Sequence, residues 1–183
     1  MSAQGFWSAW WWPAATAVTG FAFAGLVFWQ WLDRRKPHQL WWFVGLLMYA
    51  VAAAMEFWSE YTQAWNPTVY RIYIVTAACL VGFLGVGSAY LTVHKHRWIA
   101  HAYLAYNLFM TALFLGWAFM TPLRMEYLVP GITVGGQALG EPGSFPRALS
   151  MFVTIPGTFF LLGGAVISVW RFARKKEFAY RMW

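Results

Sequence analysis

Glu56 and Glu60 stand four residues apart in the stretch MEFWSEYTQAWNPTVYRIYIV, with Arg71 and Tyr73 following beyond an Asn-Pro break. On a helix that spacing puts both carboxylates on one face, about 6 Å apart along the axis. Two carboxylates, a guanidinium and a phenol gathered this way suit either an ion-pair staple or a site for a cation, a quinone or another polar ligand. Pro67 disfavours helix at Asn66, and asparagine suits a turn, so the chain reverses there. Arg71 then opens the next helix at the depth of Glu60, with a stem long enough to reach Glu56. The expectation is a Glu56–Arg71 pair joining two helices, Glu60 at the outer interface, Glu56 a turn deeper, and Tyr73 donating to the carboxylate.

Two further places could carry chemistry. Asn107, with Thr111 one turn on, lies midway along an apolar run, where an amide ordinarily bonds a neighbouring helix and otherwise lines a substrate or ion site. His101 falls about a turn inside Trp98, deep enough to be an axial ligand of haem iron or chlorophyll magnesium. An interfacial histidine is its plainer role, since no second histidine stands at matching depth. His94 and His96 in VHKHRW are flanked by Lys95 and Arg97, whose charge opposes a bound cation, and no cysteine or carboxylate completes a ligand set. There is no phosphate loop, no G-x-S-x-G and no H-E-x-x-H, so no catalytic residue and no metal site is assigned. The identity of any cofactor stays open.

The elements that would position these residues follow from composition. Of 183 residues, 61% are hydrophobic and only 10% charged, where soluble domains carry about 25% charge. So few charges cannot cover a water-exposed surface. Five apolar segments, about residues 7–32, 40–61, 69–93, 98–122 and 148–172, each reach the roughly 20 residues a helix needs to cross a bilayer. Backbone polar groups in lipid must be satisfied within the segment, and none of the five alternates as a barrel strand would. The expectation is an all-α membrane protein, one bundle of five transmembrane helices over 1–183, in the cell membrane as a multi-pass protein. Cys79 is the single cysteine, so no disulfide forms within the chain.

Orientation comes from the basic residues. Arg34, Arg35, Lys36, Lys95, Arg97 and the tail RFARKKEFAYR lie on one side of the five spans. Arg71, Arg124 and Arg147 lie on the other, together with Glu56, Glu60, Glu126 and Glu141. The positive-inside bias then puts the N-terminus outside and the C-terminus in the cytoplasm. Placed this way, the net charge of +7 serves membrane topology and not nucleic acid. Most of the 14 tryptophans fall at the two interfaces, as in FWSAWWWP and FWQWL.

Ala78, Gly82, Gly85 and Ala89 form one stripe, and Gly157, Gly164 and Ser168 another. Small residues like these let helices associate in lipid, within this chain, with other membrane subunits or by self-association. Pro156 should kink the fifth helix. The single long connection, 123–147, is rich in glycine and proline, and such a loop suits a lid or a partner surface.

At RRKPHQLWWFVGLL, YRIYIVTAACLVGFLGVGSAYL and GTFFLLGGAVISVWRF the chain resembles a family of bacterial multi-helix membrane proteins. The resemblance spans most of residues 25–175 and implies a helical membrane fold without implying an activity. Members tend to run on into further helices, so the ending RKKEFAYRMW could open a sixth. The expected function is a non-catalytic accessory or scaffold subunit packing against partner helices. The alternatives are a small carrier or channel, or a pigment-, haem- or quinone-binding subunit.

Overall fold

The computed structural model describes residues 10–93, 96–129, 135–140 and 144–175. Five helices are long and apolar enough to cross a membrane. They are α1 (Trp11–Arg34), α2 (Pro37–Thr62), α3 (Pro67–Thr92), α4 (Arg97–Met120) and α5 (Phe145–Lys175), with two short 3₁₀ turns, Met125–Tyr127 and Gly136–Leu139, between the last two. The expected start of the first helix at residue 7, His94, Glu141 and the tail 176–183 lie outside the described residues.

Local chemistry sets the helix ends. Pro37 and Pro67 each occupy a first helical turn, where a missing N–H costs nothing. Asn66 caps α3, its side chain accepting from the Thr68 N–H at 2.9 Å. α2 stops in the left-handed conformation of Gln63 (φ 53°). The Ala64 N–H reaches the Ser59 carbonyl and the Gln63 N–H reaches that of Glu60, the paired bonds of a Schellman ending. Glutamine lacks the conformational freedom of glycine, and its own amide partly compensates by donating to the Glu60 carbonyl at 2.6 Å. The reversal expected at WNP therefore begins one turn earlier, at Gln63.

α3 is the axis of the molecule. Of its apolar span 56% is buried, against 11% for α5. α2 packs along one flank of α3 and α4 and α5 along the other, while α1 packs chiefly on α2. The predicted small-residue stripe lies where α3 meets α5. A Cβ added to Gly85 would lie 2.6 Å from the Gly157 Cα, and one added to Gly157 would lie 2.5 Å from the Val81 carbonyl oxygen. The two backbones touch, at a separation only glycine permits. Gly164 continues the contact toward Ser88 and Thr92. On the other flank Gly45 receives Leu84, Gly87 receives the Trp42 ring, and Gly20 of α1 sits against Ala50. Around the α3–α5 contact, Cys79, Phe83, Met110, Phe114, Leu149 and Val153 form the main core.

Pro156 lies inside α5. It has no N–H, so the carbonyl of Phe152, four residues earlier, loses its helical donor. The Tyr106 hydroxyl of α4 donates to that carbonyl at 2.9 Å. For a helix that crosses a membrane, no water would fill the same role. Tyr106→Phe should therefore lower the thermal stability of the detergent-purified protein by about 1 kcal/mol. Restoring the helical N–H with Pro156→Ala should make the same tyrosine substitution nearly neutral. Equal losses in the two backgrounds would show that Tyr106 does not serve the carbonyl freed by proline.

Candidate functional site

Where α2 ends and α3 begins, the ionisable residues are arranged differently from the expectation. Glu60 is the more buried carboxylate, at 6% exposure, while Glu56 is half-buried. Arg71 turns away from both. Its Nη2 donates to the Thr121 carbonyl at 3.1 Å, its guanidinium carbon lies 5.8 Å from the Phe119 ring centroid, and no ion pair joins it to Glu56. The geometry of a helix explains the correction. Tyr73 lies within electrostatic reach of Glu56, and residues two apart on a helix point about 200° apart. Arg71 therefore faces α4. There the last carbonyls, at the negative end of the helix dipole, offer a cation a place.

Trp65, Tyr70 and Tyr73 pack as an aromatic knot, with Trp65 ring centroids 5.9 and 5.4 Å from those of the two tyrosines. Leu128 and Ala138, from the loop between α4 and α5, are buried on the same cluster. The wholly buried Tyr70 donates its hydroxyl to the Gly135 carbonyl at 2.9 Å, and the Arg124 N–H binds the Ala138 carbonyl at 2.9 Å. The long loop thus folds back over the bundle at its described residues.

Beneath it, between α3, the first turns of α5 and the Gly136–Leu139 turn, is a cavity of about 300 Å³. Ile74, Ala77, Phe114, Leu139 and Met151 make its apolar wall. Tyr73, Arg147, Ser150 and the Gly135–Gly136 backbone bring the polar groups. The loop lies against the Arg147 side chain at Gly136, where an added Cβ would make ordinary contact with Nε at 3.4 Å. The Arg147 Nη1 is buried and makes no hydrogen bond. Ser150 Oγ donates to the Arg147 carbonyl at 2.7 Å and keeps its lone pairs for another donor. Neither Arg147 nor Ser150 stood out in the sequence as a site residue. The available signal was a basic residue in the first turn of the last helix, where the dipole disfavours a cation.

Below the cavity, Phe114 is followed a turn deeper by Thr111, beside Cys79, and then by Asn107. Asn107 is 0% exposed, yet neither its Oδ1 nor its Nδ2 has a hydrogen-bond partner, and the Thr111 hydroxyl lacks one too. The expected interhelical bond of Asn107 is absent. Its Oδ1 instead packs directly on Gly82, where a Cβ would collide with it, so a weak Cα–H contact is what the site offers. Hydroxyls of the neighbours bridge the helices in its place. Tyr103 donates to the Gly82 carbonyl at 3.3 Å, and Thr154 to that of Ala78 at 3.3 Å.

His101 is exposed, and its Nδ1 pairs with the Tyr90 hydroxyl at 2.7 Å, bracing the end of α3 against the start of α4. Among the described residues no group of three or more His, Cys, Asp or Glu could hold a metal ion. Cys79 is free and buried. Around the cavity the described side chains offer a cation, two hydroxyls and an apolar wall, a set suited to binding. No family model matches this chain, and neither a curated protein nor a solved structure matches it.

The Arg71 geometry makes a direct prediction. Arg71→Met should destabilise the purified protein by about 1.5–3 kcal/mol, the worth of a charged hydrogen bond to the Thr121 carbonyl. Glu56→Gln should add its own effect independently, within about 0.5 kcal/mol. Rescue of Arg71→Met by Glu56→Gln in a double-mutant cycle would restore the ion pair to consideration.

Proposed function

We propose that this protein is a non-catalytic integral membrane protein that holds a small ligand at the outer end of its helix bundle, as an accessory subunit to other membrane proteins. The observation that carries the reading is the cavity beside Arg147, which Gly135, Gly136 and Leu139 of the α4–α5 loop line on one side. Ala77 and Ala78 line it from α3, one turn before Gly82, Gly85 and Gly157 bring the α3 and α5 backbones into contact. A site at one end of the bundle suits holding a ligand, and the backbone contact beyond it counts against a carrier or channel path through Asn107 and Thr111. The accessory role draws on α5, whose apolar span is little buried and whose outward face carries a groove along Thr158, Phe159, Leu162 and Val166. Such a face is covered by lipid chains or by a partner helix.

Native mass spectrometry of the mildly solubilised protein tests the reading, reporting bound small molecules and co-purifying chains together. A small-molecule adduct is expected on the wild type and not on Ala77→Phe, whose ring would fill the cavity. An adduct that persists in that variant would place the ligand elsewhere.

The orientation in the membrane belongs to the same proposal, with the N-terminus outside and the C-terminus in the cytoplasm. It is supported by the basic residues that cluster after α1 and at the end of α5. A cytoplasm-active reporter fused after Trp183 should give signal, and one inserted within 131–143 should give none. Signal from the loop insertion would invert the topology.

A further inference from the structure

We infer that the outer cavity takes the anionic head of a single-chain amphiphile, a carboxylate or phosphate gripped by Arg147, with the start of its chain against the apolar wall. This deepens the reading of the cavity as a binding site and rests on it.

Four observations converge on that ligand class. The Arg147 side chain lines the cavity, and its Nη1 is buried with no hydrogen-bond partner. A guanidinium nitrogen out of water is costly to leave unbonded, and an oxyanion is its strongest partner. Arg147 also lies in the first turn of α5, where the helix dipole is already positive. Dipole and side chain repel each other when the site is empty and act together on an anion. Ser150, one turn further along α5, lines the same cavity, and its hydroxyl, which donates to the Arg147 carbonyl in the empty site, would turn that proton to the anion. The rest of the wall, Ile74, Ala77, Phe114, Leu139 and Met151, is apolar and would leave a wholly polar ion unsatisfied on one side.

Size narrows the choice. A volume of about 300 Å³ lies at the low end of small-ligand sites, roughly 300–1,000 Å³. It admits a head and part of one chain and cannot enclose a two-chain lipid. Among the described residues no carboxylate lines the cavity to compete for Arg147.

The test uses the full chain in phosphatidylcholine nanodiscs and measures saturable binding of dodecanoate, dodecanol and dodecyltrimethylammonium against empty discs. Dodecanoate should bind at least about tenfold more tightly than dodecanol, the size of effect a charged hydrogen bond supplies. Dodecyltrimethylammonium should bind more weakly than either. Arg147→Gln should erase the preference for the carboxylate, and Arg147→Lys should keep part of it. Discs containing phosphatidylglycerol identify the source. Displacement of dodecanoate there assigns the site to a lipid head with one chain inserted, and undiminished binding assigns it to a free acid. Equal affinity for dodecanol and dodecanoate, both lost in Ala77→Phe, would overturn the anion inference and leave the cavity as an apolar binding site. No saturable binding of any of the three, together with no adduct in native mass spectrometry, would overturn both. The comparison of ligands on the wild-type protein decides the matter even if an Arg147 variant fails to fold.

Discussion

Gly85 and Gly157 bring the backbones of α3 and α5 to within the distance a single methyl group would occupy. Lipid tails are as apolar as the side chains they would replace, so helices in a membrane gain little from burying leucine. Close approach, with its many weak dispersion and Cα–H contacts, supplies the association instead. The rest of the bundle is arranged around that contact. It places Val153 against Gly82 and packs the Asn107 amide on the same glycine from α4. α2 and α1 are added outward from α3 by the same device on a smaller scale, Gly45 with Leu84 and Gly20 with Ala50.

The polar links between helices share a second feature, in that most of them end on backbone carbonyls. Tyr103 reaches Gly82, Thr154 reaches Ala78, Tyr106 reaches Phe152, Arg71 reaches Thr121 and Tyr70 reaches Gly135. A carbonyl has two lone pairs, and the helix uses one, so an incoming hydroxyl adds a bond without breaking any. Where the helix offers none, at Pro156 or at the end of α4, the incoming donor meets a need the helix cannot. Asn107 is the exception. An amide carries two donors and an acceptor with two lone pairs, and the tight contact with Gly82 satisfies it with a weak contact at most.

Where α2, α3 and the α4–α5 loop meet, the ionisable groups are spread over different elements. Arg71 belongs to the end of α4, Arg147 to the cavity, and Glu56 and Glu60 to the α2 side of the aromatic knot. Trp65, Tyr70 and Tyr73 pack together, and the loop residues Leu128 and Ala138 rest on them. One ring system thus anchors the loop to the helix ends.

The number and extent of the helices were legible in the sequence because hydropathy, proline and capping act on the residues that carry them. Five apolar runs became five helices, with ends shifted by a few residues toward Pro37, Pro67 and the left-handed Gln63. The glycine stripe of α3 was legible for the same reason, since close approach has few other solutions in lipid. What the local pattern could not encode was the rotation of each helix about its axis. A soluble helix marks its inner face by polarity, but these helices are apolar on every side and carry no such mark. The Glu56–Arg71 pair was expected from depth alone, and depth is only one coordinate. The rotation of α3 turned Arg71 toward Thr121 and left Tyr73 within electrostatic reach of Glu56. That rotation, with the fold of the long loop, also decided that Arg147 and Ser150 would meet Tyr73 across a cavity, residues that lie some 75 positions apart in the chain and share no local pattern.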